Sequence, residues 1–228
     1  MSEETTPPSA SPKSSSLILT LGIIAMLSGL MVVLTFQLTK PRIALNKQRA
    51  LEKAVFTVLP EATVRKNFFL DESGLAALPD EAFADANVFA GYDDAGKLAG
   101  LAMEASARGY QDVVTILYGY SVDNEAVIGI TVLQSTETPG LGDKVETDPD
   151  FLANFEKLDA RLNNTGTAMA NEIVTVKNGK KTDPWQIDGI SGATVTSTAI
   201  GTGLRRSTNE MLPLLAKYKS SLPRSLSE

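Results

Sequence analysis

The 228-residue sequence contains no cysteine and no histidine. Without thiolate or imidazole it cannot build iron–sulfur clusters on thiolates, His- or Cys-ligated haem, most zinc sites, or Ser-His and Cys-His triads. A flavin linked through a His or Cys side chain is excluded on the same ground. Any redox chemistry must therefore reside in an organic cofactor held by hydroxyls, backbone and carboxylates. Basic charge is also short: 21 Lys and Arg against 27 Asp and Glu leave a net charge of −6. That balance argues against a nucleic-acid partner. There is a single tryptophan, Trp185.

What is present begins with a tail, residues 1–16, rich in Ser, Pro and Thr and of a composition that does not pack. Residues 17–38 then run from Leu17 to Leu38 without a charge. As a helix of about 1.5 Å per residue this run reaches roughly 33 Å, enough to span a bilayer. No Ala-x-Ala-like cleavage site precedes Lys40-Pro41-Arg42, so the run reads as an uncleaved single-pass transmembrane anchor. Residues 39–60 keep helical spacing through Ile43, Lys47, Leu51, Val55 and Val58 until Pro60, which predicts a juxtamembrane helix. The main domain is expected over 61–218, with a short tail over 219–228. Lys40, Arg42, Lys47 and Arg49 outnumber the basic groups before the span. Counted alone, they keep the C-terminal domain in the cytoplasm.

Sheet signals follow. Val88–Tyr92, a turn at Asp93–Gly96 and Leu98–Ala105 predict a hairpin. Val113–Tyr120 and Ala126–Leu133 predict two further strands around Asp123-Asn124. The expected fold class is α+β: an antiparallel-rich sheet, one side covered by helices, preceded by a single transmembrane helix. A short helix is expected near Asp80–Ala86, another over Asp148–Leu162 with Phe151, Phe155 and Leu158 on one side, and a strand at Ile173–Lys177. Behind residue 198, Ile200, Leu204, Met211 and Leu215 return on one face of a helix.

Two stretches carry candidate chemistry. Asp188-Gly-Ile-Ser-Gly-Ala-Thr-Val-Thr-Ser-Thr198 places Ser191, Thr194, Thr196, Ser197 and Thr198 among small residues just before that helix. A small-residue turn opening a helix offers free N–H groups and the positive end of the dipole, a site for a phosphate. The same residues also describe an ordinary Ser/Thr N-cap, with Thr196 in that place. The second stretch, Glu137-Thr138-Pro139-Gly140-Leu141-Gly142, leaves a strand through a Pro-Gly turn. Lys180-Lys-Thr lacks the glycine of the Lys-Thr-Gly motif of penicillin-binding enzymes, since Asp183 follows.

Together, Ser191-Gly192-Ala193-Thr194, with Asp188 three residues before and Thr196 two after, and Glu137–Gly142 directly after Gly-Ile-Thr-Val-Leu133 resemble the FMN-binding domain family. That family includes the G subunit of the Rnf electron-transport complex and the C subunit of the sodium-pumping NADH:quinone reductase. The resemblance covers roughly Val88 to Ala216 and favours the first of these. It implies FMN joined covalently through its phosphate to Thr194, with Ser191, Gly192 and Ala193 shaping the turn. Asp188 would cap that turn or help bring metal-bound FAD into place. Glu137, Thr138, Pro139, Gly140, Leu141 and Gly142 would wrap beside the flavin. The implied partners are the other membrane subunits of an Rnf-type ferredoxin–NAD complex that moves ions, and a flavin transferase. The resemblance implies no separate catalytic residue and no metal site. It also places the domain on the outer side of the cytoplasmic membrane, against the count of basic residues. The family often has a histidine just before the loop, where Ser135 and Thr136 stand here. Two other readings remain: the quinone-reductase subunit, and an anchored ligand-binding or structural domain without flavin.

Overall fold

A computed structural model describes residues 14–226. Helix α1 runs without a break over Ser14–Val58, through Pro41. Its apolar part, all exposed, is long and apolar enough to cross a membrane. The chain divides into two units, residues 1–47 and 48–228, so the last turns of α1 belong to the second.

In the second unit, strands β1 (Val64–Asp71), β2 (Gly74–Leu78), β3 (Val88–Tyr92), β4 (Leu98–Arg108), β5 (Val113–Ser121), β6 (Ala126–Gln134) and β7 (Leu158–Asp159) form one sheet. Its order is β2-β1-β3-β4-β5-β6-β7, and every neighbouring pair is antiparallel. Helix α2 (Pro149–Leu152) precedes β7. Strands β8 (Val174–Val176) and β9 (Gln186–Asp188) make a small parallel pair, and helix α3 (Thr194–Lys217) follows.

Helices cover both faces of the sheet, where the sequence predicted one. On one face α3 packs Ile200, Leu204, Leu212 and Leu215 against Leu101, Met103, Ile116 and Tyr118. The Tyr118 hydroxyl lies 2.9 Å from Ser207 Oγ, which donates to Glu104 O at 2.9 Å. On the other face the end of α1 buries Ala54, Val55, Val58 and Leu59 against Phe89, Ala102 and Leu117. That close approach depends on missing side chains. A Cβ on Gly91 would lie 2.7 Å from Ala62 Cβ and 2.8 Å from Leu59 Cδ1. One on Gly100 would lie 2.7 Å from Leu59 Cδ2, and one on Gly119 would overlap the Val58 carbonyl oxygen. These glycines on β3, β4 and β5 leave a trough in which the helix end sits. Arg65 fastens it from the side, 2.9 Å from Glu52 and stacked 4.3 Å from the centre of the Phe83 ring.

Two segments differ from the sequence expectation. The hairpin β1–β2 was not foreseen, because Arg65, Lys66 and Asn67 interrupt its apolar alternation; Asn67 is nevertheless buried. The helix expected over Asp148–Leu162 ends after one turn, followed by a 3-10 turn at Ala153–Phe155. Leu158 then leaves the helical path to pair with Val127 at the sheet edge. The helix start was legible, since Asp148 accepts hydrogen bonds from Asp150 N and Phe151 N. At Asp80–Asp85 the chain forms a 3-10 helix.

Candidate functional site

The glycine-rich turn before α3 is held from three sides. Asn154, 5% exposed, donates to Phe151 O at 2.9 Å and Asp188 O at 3.3 Å, and accepts from Asp188 N at 2.9 Å and Lys181 Nζ at 3.0 Å. Asn178 Nδ2 donates to Gly189 O at 2.9 Å. Ser197 closes the turn from inside: its hydroxyl accepts from Ile190 N at 3.1 Å and donates to Ala193 O at 2.9 Å. Gly192 has φ +86°, a conformation that residues with a Cβ rarely adopt, so the turn requires glycine there.

The helix begins differently from the sequence reading. Ala193 is the N-cap and makes no side-chain cap bond, and Thr194 is the first helical residue. Thr196 is therefore not the cap. Its hydroxyl donates to Glu137 Oε2 at 2.6 Å, which a carboxylate on the facing loop makes possible. The five hydroxyls of the motif now separate. Thr196 and Ser197 are buried and bonded, while Ser191, Thr194 and Thr198 are exposed.

Facing this helix start is the turn at Glu137–Gly142. Leu141 N and Gly142 N both donate to Thr138 O at 3.1 Å, and Gly140 has φ +78°. Glu137 is only 7% exposed. Burial by itself pushes its carboxyl up. The hydrogen bonds from Thr196 and from the backbone N–H groups of Gln111, Tyr110 and Asp112 outweigh that cost and hold it below the ordinary carboxylate value. Gln111 N lies 3.0 Å from Oε1, and Gln111 Nε2 donates to Thr138 Oγ1 at 2.8 Å. The carboxylate fits only because two neighbours lack side chains. A Cβ on Gly109 would lie 2.5 Å from Oε1, and one on Gly142 2.8 Å from Oε2.

Between these elements lies a cavity of about 440 Å³, within the roughly 300–1,000 Å³ of small-molecule sites. Glu137, Thr138, Leu141, Gly142, Gly192, Ala193, Thr194 and Thr196 line it, all of them candidates from the sequence. Tyr110 and Val195 complete the lining and were missed. Tyr110 comes from the β4–β5 turn, which local patterning does not aim at the motif. Val195, 52% exposed, did carry a signal: an apolar β-branched residue left uncovered among hydroxyls. Asp188, Ser191, Pro139 and Gly140 are outside the lining. The Asp188 carboxylate instead accepts from Gly179 N at 3.0 Å and Lys180 N at 3.4 Å, bracing the β8–β9 connection. Trp185 does not line the cavity either. A second cleft of about 310 Å³, beside Met103, Glu104 and Ser207, contains no residue of either motif.

A cavity with an exposed helix-start hydroxyl in its lining, and Tyr110, Leu141 and Val195 as uncovered apolar surface beside it, suits a phosphate joined to a planar ring. The class so defined is a flavin-mononucleotide-binding fold. The FMN-binding domain model matches residues 109–209, and the model of the RnfG N-terminal region matches residues 18–58.

The relatives narrow this further. The chain is 28% identical over 192 residues to the G subunit of an ion-translocating oxidoreductase complex from Methanosarcina acetivorans, covering 84% of this chain and 91% of that one. It is 31% identical over 165 residues to the G subunit of the Na(+)-translocating ferredoxin:NAD(+) oxidoreductase complex of Acetobacterium woodii, covering 71% and 70%. The crystal structure of Shewanella oneidensis NqrC shares the fold, with a TM-score of 0.61 at 19% identity over 77% of this chain and 99% of that one. The chain belongs to the family of G subunits of ion-translocating oxidoreductase complexes.

Proposed function

We propose that this protein is a membrane-anchored electron-relay subunit that carries FMN as a phosphoester on Thr194, within an Rnf-type complex coupling ferredoxin–NAD electron transfer to ion movement. The observation that carries the reading is the separation of the hydroxyls: of those lining the cavity at the start of α3, Thr196 is bonded to Glu137 and Thr194 is exposed. When bound, FMN supplies reversible electron transfer, and the protein's work is holding and tuning. Thr194 fixes the phosphate at the helix start, where first-turn N–H groups and the dipole favour its fixed negative charge. Leu141, Val195 and Tyr110 offer apolar surface that shields a ring from water. Glu137 and Thr196 tie the Pro-Gly loop to the helix, so the two walls are set relative to each other.

In this reading the exposed apolar run of α1 anchors the domain, which lies on the outer side of the cytoplasmic membrane where a flavin transferase loads it. The other subunits of the complex are its electron partners. The matches to the G subunits of such complexes support this assignment over a quinone-reductase component. The match to the FMN-binding domain over residues 109–209 supports it over a domain without flavin.

The test is chemical. Protein co-expressed with a flavin transferase is cleaved after Lys181 and Arg205, which releases Thr182–Arg205 with every candidate hydroxyl. Its mass should rise by FMN less one water, and fragment ions should place the addition on Thr194. Thr194→Val should end loading, whereas Thr196→Val should retain it. Flavin located on Thr196, or retained in Thr194→Val, refutes the assignment.

A further inference from the structure

Glu137 is the charged residue of the cavity lining; the others are neutral. No Lys or Arg forms an ion pair with it among the described residues. Its hydrogen-bond donors, the Thr196 hydroxyl at 2.6 Å and Gln111 N at 3.0 Å, are neutral, and so are the nearby backbone N–H groups of Tyr110 and Asp112. Such donors make the ionised carboxylate tolerable where it is, but they do not cancel its charge. The space for it is built in, since Gly109 and Gly142 would each collide with the carboxylate if they had a Cβ. A loop of one hairpin, a turn from the next strand and the first turn of α3 thus converge on one buried anion in the wall of a ligand cavity.

We propose that Glu137 is a tuning residue: a fixed negative charge that holds down the reduction potential of FMN bound in this cavity. The inference rests on the reading of the cavity as a flavin site. Reduction adds electrons to the ring system, and a nearby anion held by neutral donors in a partly dry wall opposes that addition. Water would screen the same charge at an exposed position. Here the carboxylate is buried and oriented before any ligand arrives, so its field is part of the site and not a response to reduction.

The role differs from a structural one in sign. Glu137→Gln keeps the shape and removes the charge, so the potential should rise. Thr196→Val removes one hydroxyl donor but leaves the backbone donors of 110–112, so the carboxylate stays ionised and less compensated. In that variant the potential should fall. A residue that merely braced the loop would shift both variants in the same direction, or neither.

The experiment uses full-length wild type, Glu137→Gln and Thr196→Val, each co-expressed with a flavin transferase. Flavin content is measured first, then the midpoint potential by spectroelectrochemistry, and the melting temperature of the flavin-free forms. Wild type that takes up no flavin refutes the flavin-site reading itself, and the proposal falls with it. With loaded wild type, a higher potential in Glu137→Gln and a lower one in Thr196→Val support the proposal. Unchanged potentials, or shifts of the same sign, overturn it. A folded Glu137→Gln protein without flavin also overturns it, because Glu137 is then a requirement for attachment. If Glu137→Gln does not fold, Thr196→Val decides alone: a fall in potential supports the proposal, and a rise or no change ends it.

Discussion

Replacing Gly119 by Ala tests whether the end of α1 is part of the domain's packing. The new Cβ would lie 3.0 Å from the Val58 carbonyl carbon and inside the contact distance of its oxygen. Those are backbone atoms, which cannot rotate aside as a flexible side chain can. Leu59 Cδ2, at 3.1 Å, crowds the position as well. Overpacking of this kind costs about 1–3 kcal/mol. A rigid carbonyl places the change toward the upper end, and the reduced freedom of the unfolded chain returns about 0.4–1 kcal/mol. The net loss is about 2 kcal/mol, which for a domain of this size lowers the melting temperature by about 4–8 °C. Gly129→Ala is the control. Its Cβ would stand 3.4 Å from the same oxygen, an ordinary contact, so that variant should melt at or slightly above the wild-type temperature. The assay is thermal unfolding of the full-length proteins in detergent, followed by near-ultraviolet circular dichroism to report side-chain packing. If Gly119→Ala and Gly129→Ala melt together, the trough does not hold the helix end and the argument fails.

The remaining expectations are simpler to state. Ser220 is exposed and the chain has no native cysteine; Ser220→Cys in intact cells should react with a thiol reagent that cannot cross the inner membrane, and protection until lysis would put the domain in the cytoplasm. Burial raises Tyr120 to about 12, with a further push from Glu125, and burial raises Tyr118 more strongly. Their neutral forms therefore stabilise the fold fully below the unfolded tyrosine value of about 10, and this contribution is lost as pH rises toward the folded values. A pH series of melts should fall on its alkaline side, and Tyr120→Phe should flatten that limb; an unchanged limb would show that Tyr120 is not a source of it.

The central sheet was readable because β3 to β6 are strongly β-branched, aromatic and apolar, with turn residues between them. The hairpin β1–β2 was not, since what makes Arg65 and Asn67 acceptable inside is a helix more than a turn away in sequence, through Glu52. Leu158 shows the converse failure. Its spacing from Phe151 and Phe155 is helical, and only the bare edge of β6 turns it into a strand residue. In the site, the motif residues were visible as types and spacing. The tie between Glu137 and Thr196, which joins positions 59 apart, was not, because nothing local specifies which hydroxyl faces which carboxylate.

The placement of α3 has a consequence for the order in which the molecule is made. Strands β3 to β6 leave the ribosome long before Thr194–Lys217 does, yet the face carrying Leu101, Met103, Ile116 and Tyr118 packs against Ile200, Leu204, Leu212 and Leu215 of that helix. During synthesis the nascent sheet must wait with this face uncovered, a state prone to association with other chains. The opposite face has no such delay, since the end of α1 precedes every strand and can settle into its glycine trough as β3 to β5 pair. Thr194 lies at the start of the late helix, so the cavity wall it contributes is absent until the sheet is closed. The proposed flavin loading would thereby follow folding, since an unfinished chain offers no finished cavity.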